Sequence, residues 1–294
     1  MAFEELSARL AGVVATAVTP FSSDGGVDEA AHTALLERLT LAGVPAIEVN
    51  GRAGEFDALS AGEAARVLEV AARVAGPRAA VLCGVGRDVS TATAAARHAR
   101  DAGADAVSVH PPAPHAGPGA GWIAYHAAIA SAVPEIGVVV HLADERLSGS
   151  LLARLGERCP NVVGAVCSVP DPVWFASFAR DAGLERFVWL TGGGELAAPA
   201  HAAVGARGFT SGLATVRPDL ALAVQTALVK GDLPEAMRLW EVVRPFEELR
   251  ARAGAAVVKE ALTAQGLCHR TVRPPHAPLS RDQQSSVWSL LSAW

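Results

Sequence analysis

Lysine is almost missing from this chain of 294 residues. All but two of its 25 basic residues are arginine, and the two lysines are Lys230 and Lys259. A Schiff base between a protein and a carbonyl compound needs the primary amine of a lysine side chain. The first 229 residues therefore hold no side chain that can form one.

Three other features are scarce or absent. The four cysteines form no Cys-x-x-Cys pair, which favours reduced thiols in a cytosolic protein. No apolar run reaches the ~18 residues that span a bilayer, and residues 1–5 are acidic, unlike a signal peptide. The net charge is −5, with no basic stripe. We expect a cytoplasmic protein that binds neither nucleic acid nor membrane.

What the chain does have is a repeated alternation of short β-branched runs and alanine-rich helical segments. With 51% hydrophobic residues, a sizeable core is expected. Eight strands are predicted, and amphipathic helices such as 28–41, 61–74, 91–102 and 151–158 lie between them. The predicted strands are 13–18, 46–50, 79–83, 106–110, 137–141, 162–167, 187–191 and 208–211.

This order predicts an α/β fold, a TIM (β/α)8 barrel. An open doubly wound sheet is the alternative, but it requires a glycine-rich turn after the first strand, where Thr19-Pro20-Phe21 stands. About 80 residues of helical pattern follow the last strand. We therefore predict a barrel over residues 1–218 and a C-terminal helical extension over 219–294, packed on the barrel.

In such a barrel the chemistry lies at the C-terminal ends of the strands. The residues to consider are the polar or reactive ones where each predicted strand stops. They are Thr16, Thr19, Glu48, Asn50, Arg52, Glu55, Cys83, His110, His141, Cys167, Thr191, Thr210 and Ser211.

Several segments, taken in order, resemble the dihydrodipicolinate synthase / N-acetylneuraminate lyase family. They cover nearly the whole chain, and the segment 154–164 is most similar to the sugar-acid dehydratase branch. The matching motifs are Gly12-Val13-Val14-Ala15-Thr16 with Thr19-Pro20-Phe21, Gly51-Arg52-Ala53-Gly54-Glu55, Asn161-Val162-Val163-Gly164, Gly192-Gly193-Gly194 and Lys259-Glu260-Ala261-Leu262.

The resemblance implies a homodimer or homotetramer, and a lysine at the end of the sixth strand that forms a Schiff base with a 2-oxo acid. Here that position is Val166. The family's proton-transferring tyrosine falls at Val140 or His141, and its carboxylate-binding threonine pair becomes Arg52-Ala53. The further tyrosines expected after Pro112 are replaced by Ala113 and Pro114. The scaffold is kept while its Schiff-base groups are lost.

Other side chains offer replacement chemistry. His141 and His110 end neighbouring strands and titrate near neutral pH, so we predict acid–base roles; the alternative is that each is a satisfied core histidine. Arg52 is predicted to bind a carboxylate with its planar guanidinium, the alternative being an ion pair with Glu55 or Glu48. Glu48 lies inside a buried strand, so it needs Arg52 as partner or a raised pKa.

The remaining members of the predicted substrate-binding set are Thr16, Cys167, Thr191, Gly193 and Thr210. Gly193 lies in a glycine triplet, where barrels hold anions. Cys167 is either a reactive thiol or a small buried hydrophobe.

The side chains of Cys83, His110, His141 and Cys167 are zinc-ligand types, but they come from four strands without local ligand spacing. We predict no metal and no other cofactor. Five further histidines are interpreted as surface or structural residues: His115, His126, His201, His269 and His276.

Two functions remain open. The first is an enzyme that acts on a small oxo- or hydroxy-acid by acid–base chemistry without a Schiff base, as a lyase, hydratase or isomerase. The second is an inactive relative that binds a small acid or serves as a regulatory or structural subunit. In both, the expected ligand is a small carboxylic acid.

Overall fold

The computed structural model of the chain describes residues 3–111 and 119–294. Eight parallel strands pair in sequence order, and β8 closes on β1 to form a barrel. The predicted TIM barrel is confirmed, and the open doubly wound alternative is wrong. The strands are β1 Val13–Thr16, β2 Ala46–Val49, β3 Ala80–Val85, β4 Ala106–Val109, β5 Gly137–Leu142, β6 Val162–Cys167, β7 Val188–Thr191 and β8 Gly208–Ser211.

Alternation along the strands divides their side chains between two environments. Residues such as Val14, Leu82 and Leu190 fill the barrel interior, whereas their neighbours pack in the larger layer between strands and helices. Because successive strand residues point to opposite faces, one short apolar run supplies both layers. This is why the buried strands are mostly apolar, with polar residues such as Glu48, Ser108 and His141 as exceptions.

Helices surround the barrel, and several begin at the residues that the sequence predicts. Asp28, Ser60 and Asp88 each accept a backbone hydrogen bond as N-caps. In the described residues the α-helices are α1 Phe3–Leu10, α2 Glu29–Leu41, α3 Ala61–Ala75, α4 Val89–Asp101, α5 Ala120–Ala132, α6 Gly149–Arg158, α7 Pro172–Ala182, α8 Ala198–Ala202, α9 Leu213–Val216, α10 Pro218–Val229, α11 Leu233–Ala253, α12 Ala255–Ala264 and α13 Arg281–Ala293.

Helix α1 is an element that the sequence analysis missed. Its buried residues Leu6 and Leu10 join the apolar cluster inside the barrel, next to Val14 and Ala80. The helix therefore closes the end of the barrel opposite the strand C-termini. Apolar side chains of α1 and the strands fill the barrel interior at that end.

The C-terminal helices pack on the barrel and reach its open end. Lys259 of α12 pairs with Glu55 in the loop after β2, and Trp240 of α11 donates to the Leu196 carbonyl after β7. The chain bends between α11 and α12 at Gly254, whose φ is +61°. None of the described helices is both long and apolar enough to span a membrane.

Candidate active site

A cavity of about 450 Å³ opens at the C-terminal ends of the strands. This volume suits a small organic ligand. The barrel supplies most of the wall, and the bend between α11 and α12 covers one side. Its lining residues are Thr16, Glu48, Arg52, Ala53, Phe56, Asp57, His141, Val166, Ser168, Gly192, Gly193, Thr210, Arg250, Ala251, Gly254, Ala255, Val258 and His276.

The centre of the cavity floor is formed by a carboxylate and an imidazole. His141 Nε2 lies 2.7 Å from Ser108 Oγ and 3.7 Å from Glu48 Oε1. The side chain of Glu48 is 4% exposed and that of His141 is 11% exposed. Glu48 Oε1 has no hydrogen-bond partner among the described residues. An acceptor without a partner in a ligand-sized cavity is a place for a substrate proton or hydroxyl group.

Glu48 is paired differently from the sequence prediction. Burial raises the pKa of its carboxyl, but the nearby imidazole of His141, followed by His110 and Ser108, outweighs burial and brings the pKa below its ordinary value. The expected Arg52 partner and raised pKa are therefore both wrong. The structure supports an ionised carboxylate beside an imidazole.

The ring of His110 packs against that of His141, with the ring centroids 5.5 Å apart. Its Nε2 is 3.1 Å from the carbonyl oxygen of Asn50, which can only accept, so Nε2 carries the proton. Burial, followed by the charge of His141, lowers the pKa of His110, so the ring is neutral at neutral pH. The structure brings His110 to His141 but does not place it on the cavity wall.

Arg52 is exposed at the cavity rim, in the loop after β2. Within residues 3–111 and 119–294 it makes no ion pair, so the alternative pairing with Glu55 or Glu48 is wrong. Glu55 instead contacts Lys259 Nζ at 2.5 Å and accepts the backbone N–H of Arg273. The guanidinium of Arg52 faces a cavity with its donors available.

The other predicted binding residues divide by strand face. Thr16, Gly193 and Thr210 line the cavity, as does Val166, which is paired in register with His141. Cys167 and Thr191 lie on the opposite face of their strands and do not line it. The Cys167 thiol contacts the Val169 carbonyl, and burial raises the pKa of the thiol to about 11. Of the two interpretations, a reactive thiol and a small buried hydrophobe, the structure favours the second.

Five polar residues of the site escaped the sequence analysis: Asp57, Ser108, Ser168, Arg250 and His276, the last interpreted as surface or structural. Ser108 could have been found from the sequence, because it is the one polar residue in an apolar strand and lies two positions before His110, on the same face. Among the described residues no three His, Cys, Asp or Glu side chains converge as metal ligands do. Ala113, Pro114 and His115 lie outside the described residues.

Neither of the two lysines lines the cavity. Lys259 is buried against Glu55, and Lys230 caps the end of α10. A closed (β/α)8 barrel with ionisable side chains at the C-terminal ends of its strands has the architecture of a TIM-barrel enzyme. Residues 9–294 match the family described as the dihydrodipicolinate synthetase family, and the chain belongs to it.

Named relatives within this family include both synthases and dehydratases. A 4-hydroxy-tetrahydrodipicolinate synthase of Phenylobacterium zucineum is 35% identical over 94% of each chain. A probable 5-dehydro-4-deoxyglucarate dehydratase of Pseudomonas putida is 30% identical, over 98% of this chain and 97% of that one. The crystal structure of dihydrodipicolinate synthase from Oceanobacillus iheyensis superposes with a TM-score of 0.93, at 30% identity, over 100% of this chain and 99% of that one.

Proposed function

We propose that this protein is a lyase-type enzyme that acts on a small oxo- or hydroxy-acid by acid–base chemistry without a Schiff base. The observation that carries the proposal is the pair formed by Glu48 and His141 on the cavity floor. A carboxylate beside an imidazole removes a proton from one substrate atom and returns it to another.

In this proposal Glu48 and His141 take a proton from the carbon next to the substrate carbonyl group. The same pair then returns the proton to a hydroxyl group on the neighbouring carbon, which leaves as water. Ser108, 2.7 Å from His141 Nε2, fixes the orientation of the imidazole ring. His110 does not touch the cavity, so we assign it a positioning role behind His141.

Substrate anchoring is assigned to the rim. Arg52 presents an exposed guanidinium, and Thr16, Thr210 and Gly193 lie along the same cavity wall. A guanidinium holds a carboxylate with two parallel hydrogen bonds, which fixes orientation as well as position. Cys167 and Thr191 are left out of this set because their side chains point away from the cavity.

Proton exchange tests the proposal and does not require the product to be identified. In D2O, the wild type is expected to exchange the hydrogens next to the carbonyl group of a small 2-oxo acid for deuterium. Proton NMR measures the rate of this exchange. His141→Asn is expected to slow exchange by about a hundredfold or more, the usual effect of removing a general acid–base group. His269→Asn, an exposed histidine away from the cavity, is the matched control and keeps the wild-type rate.

Independence from a Schiff base is tested on the same preparations. Intact mass after incubation with pyruvate and borohydride is expected to show no adduct, because neither Lys230 nor Lys259 reaches the cavity. A reduced adduct on either lysine contradicts this part of the proposal. Absence of exchange with every acid tested contradicts acid–base catalysis and favours an inactive relative that only binds small acids.

A further inference from the structure

Arg250 of α11 is a second guanidinium at the cavity, on the side formed by the loops after β7 and β8. Its Nε and Nη2 pair with the two carboxylate oxygens of Glu247 at 2.8 and 2.5 Å. The side chain of Glu247 is completely buried, whereas that of Arg250 is 21% exposed and lines the cavity. Its Nη1 makes no hydrogen bond with the described part of the chain, which leaves donors available to a ligand.

Two glycines make room for this side chain. A Cβ on Gly194 would come within 2.7 Å of Arg250 Nη2 and Glu247 Oε2, and one on Gly212 within 2.9 Å of Arg250 Cδ. A larger residue at either position would displace the ion pair. Both loops are therefore shaped around a guanidinium held at the cavity edge.

Glu195 is the second carboxyl group near Arg250. It is fully buried, and its Oε1 accepts a hydrogen bond from Ser211 Oγ at 2.5 Å. Burial and the charge of Glu247 favour the protonated form of Glu195. Arg250 therefore faces one full negative charge, that of Glu247. This charge aligns the guanidinium through Nε and Nη2 and leaves the Nη1 donors available to a ligand.

We propose that Arg250 determines substrate specificity by binding a second carboxylate, so that the ligand is a dicarboxylic oxo- or hydroxy-acid. The inference rests on the proposed function, in which Arg52 holds the first carboxylate. The two guanidiniums reach one cavity from separate parts of its rim, the loop after β2 and helix α11. Glu247 is the positioning residue for Arg250.

Calorimetric titration with two five-carbon acids tests this inference. In 2-oxoglutarate the far end is a carboxylate, whereas in 2-oxopentanoate it is a methyl group. The wild type is expected to bind 2-oxoglutarate more tightly. Arg250→Gln is expected to raise the Kd for 2-oxoglutarate about tenfold or more, since a hydrogen bond between charged groups is lost, and to leave that for 2-oxopentanoate unchanged.

Two further variants control the experiment. Arg252→Gln changes an exposed arginine on the same helix, two residues away and outside the cavity wall, and is expected to bind both acids as the wild type does. Arg250→Gln leaves Glu247 buried without its cation, which threatens folding. The double variant Arg250→Gln with Glu247→Gln removes both charges together and is expected to lose the same discrimination.

The outcomes separate this inference from the proposed function. Equal binding of the two acids by the wild type, binding of neither, or unchanged discrimination in the folded double variant would overturn the role of Arg250. Discrimination that depends on Arg250 in a protein that exchanges no protons would contradict the proposed function alone.

Discussion

At the scale of single residues, Glu195 is a fully buried acid whose pKa is raised. Burial, and then the negative charge of Glu247, raise the pKa of its carboxyl to about 8, against the lesser opposing effects of Ser211 and Arg250. Two buried carboxyl groups share one guanidinium, so one of them retains its proton at neutral pH. In the unfolded chain the same carboxyl loses its proton near pH 4.5.

This raised pKa predicts a pH-dependent stability. Between about pH 4.5 and 8 the folded state binds one proton more than the unfolded state, so Glu195 stabilises the fold at low pH and the contribution is lost as pH rises through 8. Glu195→Gln removes this dependence. We expect urea unfolding to show a free energy that declines less between pH 6.5 and 8 in the variant than in the wild type. Equal declines would contradict the assignment of the proton to Glu195.

The location of a residue could be predicted from the sequence where strand position determines it, whereas its role stays a prediction. His141, Thr16 and Thr210 end strands and line the cavity, as expected from the barrel geometry. Cys167 was wrongly included among the residues that face the cavity. Adjacent strand residues point to opposite faces, so Val166 and Cys167 cannot both line it. Arg250 was not found because one arginine among many on a helix has no local signal; only the folded loops after β7 and β8 bring it to the cavity.

At the scale of elements, helix α12 is fixed to the barrel by a buried ion pair. Lys259 Nζ contacts Glu55 at 2.5 Å, donates to the Thr271 carbonyl at 2.8 Å and lies 3.9 Å from the ring centroid of Phe21. Burial lowers the pKa of Lys259, and the charge of Glu55 offsets part of this effect. The pair joins the C-terminal extension to the loop that carries Arg52.

Breaking this pair is expected to destabilise the whole protein. Lys259→Met leaves Glu55 buried without its cation, at a cost of about 3–5 kcal/mol in the free energy of unfolding. Adding Glu55→Gln removes the uncompensated charge and is expected to recover part of the loss. Urea denaturation measures both, with Lys230→Met at the exposed end of α10 as the control. A Lys259 variant as stable as that control would show that the contact does not hold α12.

The elements themselves were predicted better than their relations to one another. Each of the eight strands lies within two residues of its predicted bounds, because β-branched runs between helix caps are local signals. Helix α1 was missed because it is only eight residues long, and its apolar stripe has meaning only inside a closed barrel. The bend over the cavity at Gly254 likewise depends on tertiary packing.

At the scale of the whole molecule, the chain has the closed barrel of its family and carries ionisable groups at the strand ends that line the cavity. Val166 presents a hydrocarbon surface at the position that the resemblance assigns to the lysine. The ionisable side chains of the cavity floor are Glu48 and His141. The strand ends of the barrel thus hold an ionisable pair, to which the proposed function assigns the acid–base chemistry.

Two buried histidines outside the cavity oppose Glu195 in the pH dependence of the whole fold. Burial lowers the pKa values of His32 and His126 to about 4, against 6.5 in the unfolded chain. Hydrogen bonds with the Val67 and Trp122 carbonyls offset only part of this effect. Between pH 6.5 and 4 the unfolded chain binds these protons and the folded one does not. Stability present above pH 6.5 is therefore lost as pH falls through 4.

Below pH 6.5 the lowered pKa values of the buried histidines, His110 among them, outweigh the opposing effect of Glu195, and above pH 6.5 the stabilisation by Glu195 continues to decline. We therefore expect the free energy of unfolding to peak roughly near pH 6.5 and to fall on both sides, by up to about 3 kcal/mol per histidine on the acid side. Urea titrations from about pH 4 to about pH 9 measure the curve. His126→Gln is expected to flatten the acid side. Glu195→Gln is expected to flatten the alkaline side and to steepen the acid side, because its contribution changes over the whole range from pH 4.5 to 8. Stability that does not fall between pH 6.5 and 4 would show that these imidazoles take up protons without unfolding.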